Sequence, residues 1–82
     1  MVNNKEVIRE FIMGYIAKDF IADEEDLFKT GYVNSLFAME LVAFVENRFS
    51  INIENDELNI DNFKSINAIA SLVSKKNQDL GK

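Results

Sequence analysis

Gly31-Tyr32-Val33-Asn34-Ser35-Leu36-Phe37-Ala38-Met39-Glu40-Leu41-Val42 is the stretch on which the fold of this chain turns. A lone glycine closes a polar loop, two capping residues follow, and a helical period begins at once. Asn34 and Ser35 both suit a helix start, because a short side-chain oxygen can accept an amide that helix geometry leaves open. Beyond them Leu41, Val45 and Phe49 form one stripe, with Ala38 and Phe44 beside it, which predicts a helix from Ser35 to about residue 49.

Upstream, residues 18–34 (KDFIADEEDLFKTGYVN) hold four consecutive acids, Asp23 to Asp26, and no sustained period. They read as a long connection, with Phe20, Ile21, Leu27, Phe28 and Tyr32 expected to anchor it. A connection of this length in a small domain is more often functional than idle. Before it, Val7, Ile8, Phe11, Ile12, Tyr15 and Ile16 recur at helical spacing, so a first helix is expected over about 4–17, with Asn3 and Glu6 as its capping signature.

Downstream, Ser50-Ile51-Asn52-Ile53 alternates too briefly for an independent sheet. Asp56 to Ile60 suits one short helical turn. Ile66, Ile69, Ala70 and Val73 follow Ser65 as a last amphipathic helix, and Lys75 to Lys82 read as a polar tail. The expected architecture is all-α, an up-down bundle of three main helices and one short one. It is a single domain over 1–82, with its core in about 4–75 and a tail at 76–82. Phe11, Phe28, Phe44, Phe49 and Phe63 are expected in the core.

Composition narrows the function. The 82 residues are 48% hydrophobic and include seven Phe, enough for one small core. There is no Cys and no His, which removes disulfides, thiolate nucleophiles, the usual zinc ligands and the commonest general base. A self-sufficient enzyme is therefore not expected. The net charge of −5 repels nucleic acid and anionic membrane surfaces, so partners should be basic or apolar proteins. No apolar run approaches the roughly 20 residues of a membrane span, and Met1 to Glu10 lack the apolar centre of a signal peptide. A cytoplasmic monomer is expected. The Asp23 to Asp26 run lacks the alternating ligands and central glycine of a calcium loop, and reads as a solvated acidic loop.

The stretch around Ser35 resembles the phosphopantetheine attachment motif of acyl and peptidyl carrier proteins, in which a glycine precedes an Asp-Ser-Leu triplet opening the second helix. Glu40-Leu41-Val42 with Glu46 and Phe49 is similar to that family's second helix. Ile53, Asp56 and Glu57 resemble its acidic short-helix region, and Phe63-Lys64-Ser65-Ile66 the entry to its last helix. The likeness covers nearly the whole chain. It implies 4'-phosphopantetheine, drawn from coenzyme A and joined to Ser35, with Asn34 and Leu36 flanking the attachment. It also implies a phosphopantetheinyl transferase and enzymes that load, transfer or modify the acyl group as partners.

On residue type alone, a serine before an amphipathic helix is usually just a cap; the surrounding matches reverse that reading. The exposed end of a helix also favours an attached phosphate. Asn34 departs from the family's usual Asp, and Phe37, Asn47 and Arg48 stand where fatty-acid carriers tend to be acidic. Both point away from housekeeping fatty-acid synthesis. They point towards a discrete carrier in polyketide or hybrid peptide-polyketide biosynthesis, with an unusual extender unit such as a substituted malonyl group as cargo. An aminoacyl, peptidyl or D-alanyl carrier is the near alternative, and a non-catalytic helical adaptor the alternative from another class. Phe37, Met39, Glu40, Ala43 and Glu46 are the expected docking residues, although Met39 and Ala43 suit a partial core equally well.

Overall fold

The computed structural model describes residues 4–16 and 20–80. Helix α1 spans Asn4–Ile16, α2 Ser35–Phe49, α3 Ile60–Phe63 and α4 Ile66–Leu80, with a 3-10 turn at Asn55–Glu57. Four helices in the expected order, and no strand among the described residues, make the fold all-α. The expected Asn3 cap lies outside the described residues.

The fourth helix is the spine, packing against α1, α2 and α3. Its inward stripe is Ile66, Ile69, Ala70, Leu72 and Val73, all buried, and it meets Ile8 and Ile12 of α1 and Leu41 and Val45 of α2 in one core. Ser65 starts it: the buried hydroxyl accepts from the Ala68 amide at 3.1 Å, satisfying a donor the helix leaves open. The helix does not stop at residue 75. It continues through Leu80, so most of the expected polar tail is helical. A polar composition marks the loss of a buried face, and a helix needs no buried face along its whole length.

The long connection is tied down by its backbone. The Leu27 amide donates to the Lys64 carbonyl at 2.6 Å and the Asn67 amide to the Asp23 carbonyl at 3.0 Å, which staples the loop to the start of α4. Ile21, Leu27 and Val33 are its buried anchors. Phe20, expected among them, is 68% exposed, because its neighbour Ile21 takes the inward position. Phe28 and Tyr32 are partly buried against the core. Gly31 adopts φ +83°, which costs a glycine little and returns the chain towards α2.

Aromatic rings join α1 to α2. Phe37 stacks on Tyr15 with ring centres 3.8 Å apart and on Phe11 at 5.8 Å, while Phe11 stacks on Phe44 at 4.0 Å. Phe37 is 1% exposed and heads the buried stripe Phe37, Leu41, Val45. Of the aromatics assigned to the core, Phe63 is fully inside, and Phe11, Phe28, Phe44 and Phe49 pack on its margin. After α2, Ser50 takes a left-handed conformation and lets Ile51 and Ile53 turn inward. The expected turn at Asp56 to Ile60 resolves into the 3-10 turn followed by α3, which Asn59 caps through the Asn62 amide.

Phe37→Ala should lower stability by about 3–5 kcal/mol, whereas exposed Met39→Ala should change it by less than about 0.5 kcal/mol. Urea unfolding followed by circular dichroism measures both; equal losses would contradict the inward placement of Phe37.

Candidate functional site

The candidate site is the N-terminus of α2. Asn34 is extended, its side-chain oxygen accepts from the Phe37 amide at 2.9 Å, and its carbonyl accepts from the Ala38 amide at 2.8 Å. Asn34 is therefore the cap, which frees Ser35 from that role. Ser35 is exposed at the first helical position, and no described residue hydrogen-bonds its hydroxyl. The amides of Ser35 and Leu36 precede the first intrahelical bond, and the first turn holds no acid. A phosphate on Ser35 would meet open N–H groups and the positive end of the helix dipole. The chemistry of this end fits a phosphodiester.

Beside Ser35 lies an open groove of about 440 Å³. Ser35, Ala38, Met39 and Val42 of α2 form one side, Leu58, Asn59, Ile60 and Phe63 the other, and Phe28 of the long connection closes it. No lining residue is charged. Leu58 and Ile60 are 47% and 59% exposed, so each keeps apolar surface in water. They were not legible as site residues. Two apolar side chains in the polar run Glu54 to Asn62 make no periodic face.

The expected docking residues separate. Met39, Glu40 and Ala43 are exposed, Met39 at 73%, and Leu36 at 70% stands beside Ser35. Phe37 is buried in the aromatic stack and offers no surface, because its position at the head of the Leu41 and Val45 stripe turns it inward. Glu46 is part-buried, and its carboxylate accepts from the Ile53 amide at 2.9 Å, which commits it to holding the chain after α2. Of the acidic run, Asp23 pairs with Arg9 and Lys5, Glu25 accepts from the Ala22 amide, and Asp26 accepts from the amides of Phe28 and Lys29. Those three acids shape the loop. Among the described residues no cluster of His, Cys, Asp or Glu is placed to hold a metal.

Residues 6–73 match the family model described as phosphopantetheine attachment site. The chain belongs to that family. It is thus a carrier that takes 4'-phosphopantetheine covalently and does no catalysis of its own. Such carriers work with a phosphopantetheinyl transferase and with acyl-handling enzymes. The chain is 33% identical over 70 residues to the D-alanyl carrier protein of Streptococcus sanguinis (strain SK36), covering 85% of each. It is 30% identical over 69 residues to the D-alanyl carrier protein of Streptococcus suis (strain 05ZYH33), covering 78% of this chain and 87% of the relative. No helix of the carrier among the described residues is long and apolar enough to cross a membrane.

Two outcomes follow from the polar contacts around the site. Asn34→Ala should cost about 1 kcal/mol through the lost cap while Asn34→Asp should be near neutral, as read by thermal unfolding. Glu57 immediately precedes Leu58, which lines the groove. The Glu54 amide, then Lys76, holds its carboxyl below the usual carboxylate value of 4.5. Its folded value is depressed, so its contribution to stability is present above pH 4.5 and lost as pH falls through that lower value. The stability gap between wild type and Glu57→Gln should close on acidification, in urea titrations run at a series of pH values.

Proposed function

We propose that Ser35 is the attachment residue and that this carrier holds a small acyl group as a thioester at the end of the arm. The observation that carries the reading is the free, exposed Ser35 hydroxyl at the open end of α2, set against an uncharged groove. Ser35 needs no base of its own. A transferase removes the hydroxyl proton as Oγ bonds to the phosphorus of coenzyme A that bears the pantetheine, and the nucleotide phosphate leaves. When bound, the arm supplies the terminal thiol for the thioester.

The groove favours an acyl cargo whose apolar part lies along Ala38, Val42, Leu58 and Ile60, with any charged end left in water. This fits a discrete carrier of polyketide or hybrid peptide-polyketide biosynthesis, including antibiotic pathways, with a substituted malonyl group among its cargoes. D-alanyl carriage is the second reading, and the two streptococcal relatives favour it. Met39, Glu40 and Ala43 make the docking face, with Leu36 at its edge, for the transferase and the loading enzymes. An apolar centre with an acidic rim suits partners that pair an apolar socket with basic residues. The carrier acts as a single-domain monomer in the cytoplasm, where coenzyme A supplies the arm.

Incubation with coenzyme A and a broad-specificity transferase should add one arm by intact mass, and Ser35→Ala should abolish the addition with the fold retained. An arm mapped to Ser50, Ser65 or Ser71 would overturn the assignment. Cargo released from the carrier isolated from its own cells then separates the readings: D-alanine supports the second and contradicts the first, and a malonyl-type acid does the reverse.

A further inference from the structure

The side of the groove opposite α2 has an unusual attachment. Residues 58–62 meet the core where Phe63 is buried and α3 packs on α4; Leu58 and Ile60 themselves stay largely in water. At the other end stands Glu57. Its Oε1 accepts from its own turn, the Glu54 amide at 2.8 Å, and from Lys76 Nζ at 2.9 Å. The Glu57 carbonyl in turn accepts from the Asn62 side chain at 2.9 Å. Both partners of the Lys76 pair are well shielded, with side chains 16% and 19% exposed, against 44% and 38% for Lys5 and Asp23. Lys76 sits in the part of α4 that continues past the apolar stripe, so this extension reaches the segment lining the groove.

We infer that the Lys76–Glu57 pair is a positioning pair that holds the Leu58–Ile60 lip against α2, sets the width of the groove beside Ser35, and so limits the size of cargo the groove can shelter. Among the described residues, the side-chain hydrogen bonds of Asn59 and Asn62 stay within residues 56–62, whereas this pair reaches α4. The consequence for cargo rests on the reading of Ser35 as the attachment residue; the position of the lip does not.

The test uses Glu57→Gln, which keeps an oxygen for the Glu54 amide but loses the charge, Lys76→Met, which keeps the aliphatic stem, and Lys76→Arg, which keeps the pair. Methyl NMR of the unmodified full chain should show the Leu58 and Ile60 signals displaced in Glu57→Gln and Lys76→Met and restored in Lys76→Arg. Packing of the Lys76 stem alone would leave Lys76→Met, which keeps that stem, at the wild-type positions. With a hexanoyl arm in place, hydroxylamine should cleave the thioester in the two broken variants roughly twofold faster or more than in wild type and Lys76→Arg, the scale open to a single ion pair. Lip signals indifferent to all three substitutions would overturn the inference, as would equal cleavage rates once the lip has moved. Failure of the arm to attach at Ser35 is seen separately by intact mass and would sink the attachment reading, while the spectra of the unmodified chain still decide the lip.

Discussion

The stacking of Phe37 on Tyr15 and Phe11 is the contact on which the site depends most. It lies two residues after Ser35 and joins the head of α2 to the second half of α1 through flat rings, whose reach lets two helices communicate without close backbone approach. Offset-stacked rings are worth about 0.5–1.5 kcal/mol beyond the area they bury, and they fix orientation as well as distance. With Phe37 held, the first turn of α2 cannot rotate about the helix axis. Ser35 is consequently displayed outward, and the Ala38, Met39 and Val42 side faces the groove.

Around that contact the molecule divides its polar groups by task. Asn34 caps α2, Ser65 caps α4, Glu46 holds the Ile53 amide, and three of the four acids of the Asp23 to Asp26 run fold the long connection. Each satisfies a donor or cation that would otherwise be left open near a small core, where an unmade hydrogen bond is expensive. Ser35 stands apart as a polar side chain at a helix start with no structural duty. In a chain with neither His nor Cys, that freedom is the chemistry available, and it suits a residue modified by another protein's active site.

The net charge of −5 gives a partial picture of the surface that partners meet. Asp23, Glu25, Asp26, Glu46 and Glu57 are engaged with the protein's own amides or cations, and the surface nearest Ser35 is contributed by Leu36, Met39, Leu58 and Ile60. Long-range attraction to a basic partner survives this arrangement, since fields sum over the whole molecule. Close contact is then governed by apolar fit, which acts mainly on residence time.

Much was legible in the residues alone. The 3.6-residue period of Ile8 and Ile12, of Leu41 and Val45, and of Ile66, Ile69 and Val73 determined three long helices, and Gly31-Tyr32-Val33-Asn34-Ser35-Leu36 marked the candidate site at the start of one of them, because period and capping chemistry are local properties. Whether Asn34 or Ser35 caps, whether Phe37 faces in or out, and what Glu46 does were decided by tertiary structure. Each depends on a partner distant in sequence or on the rotation of a helix against its neighbours. The groove was invisible for the same reason: its two sides, Ala38 to Val42 and Leu58 to Phe63, are separated along the chain, and Leu58 and Ile60 follow no period. The full length of α4 was hidden as well, since a helix carried past its apolar stripe is held by intrahelical hydrogen bonds and by one lysine's reach to Glu57, and neither leaves a hydrophobic pattern to read.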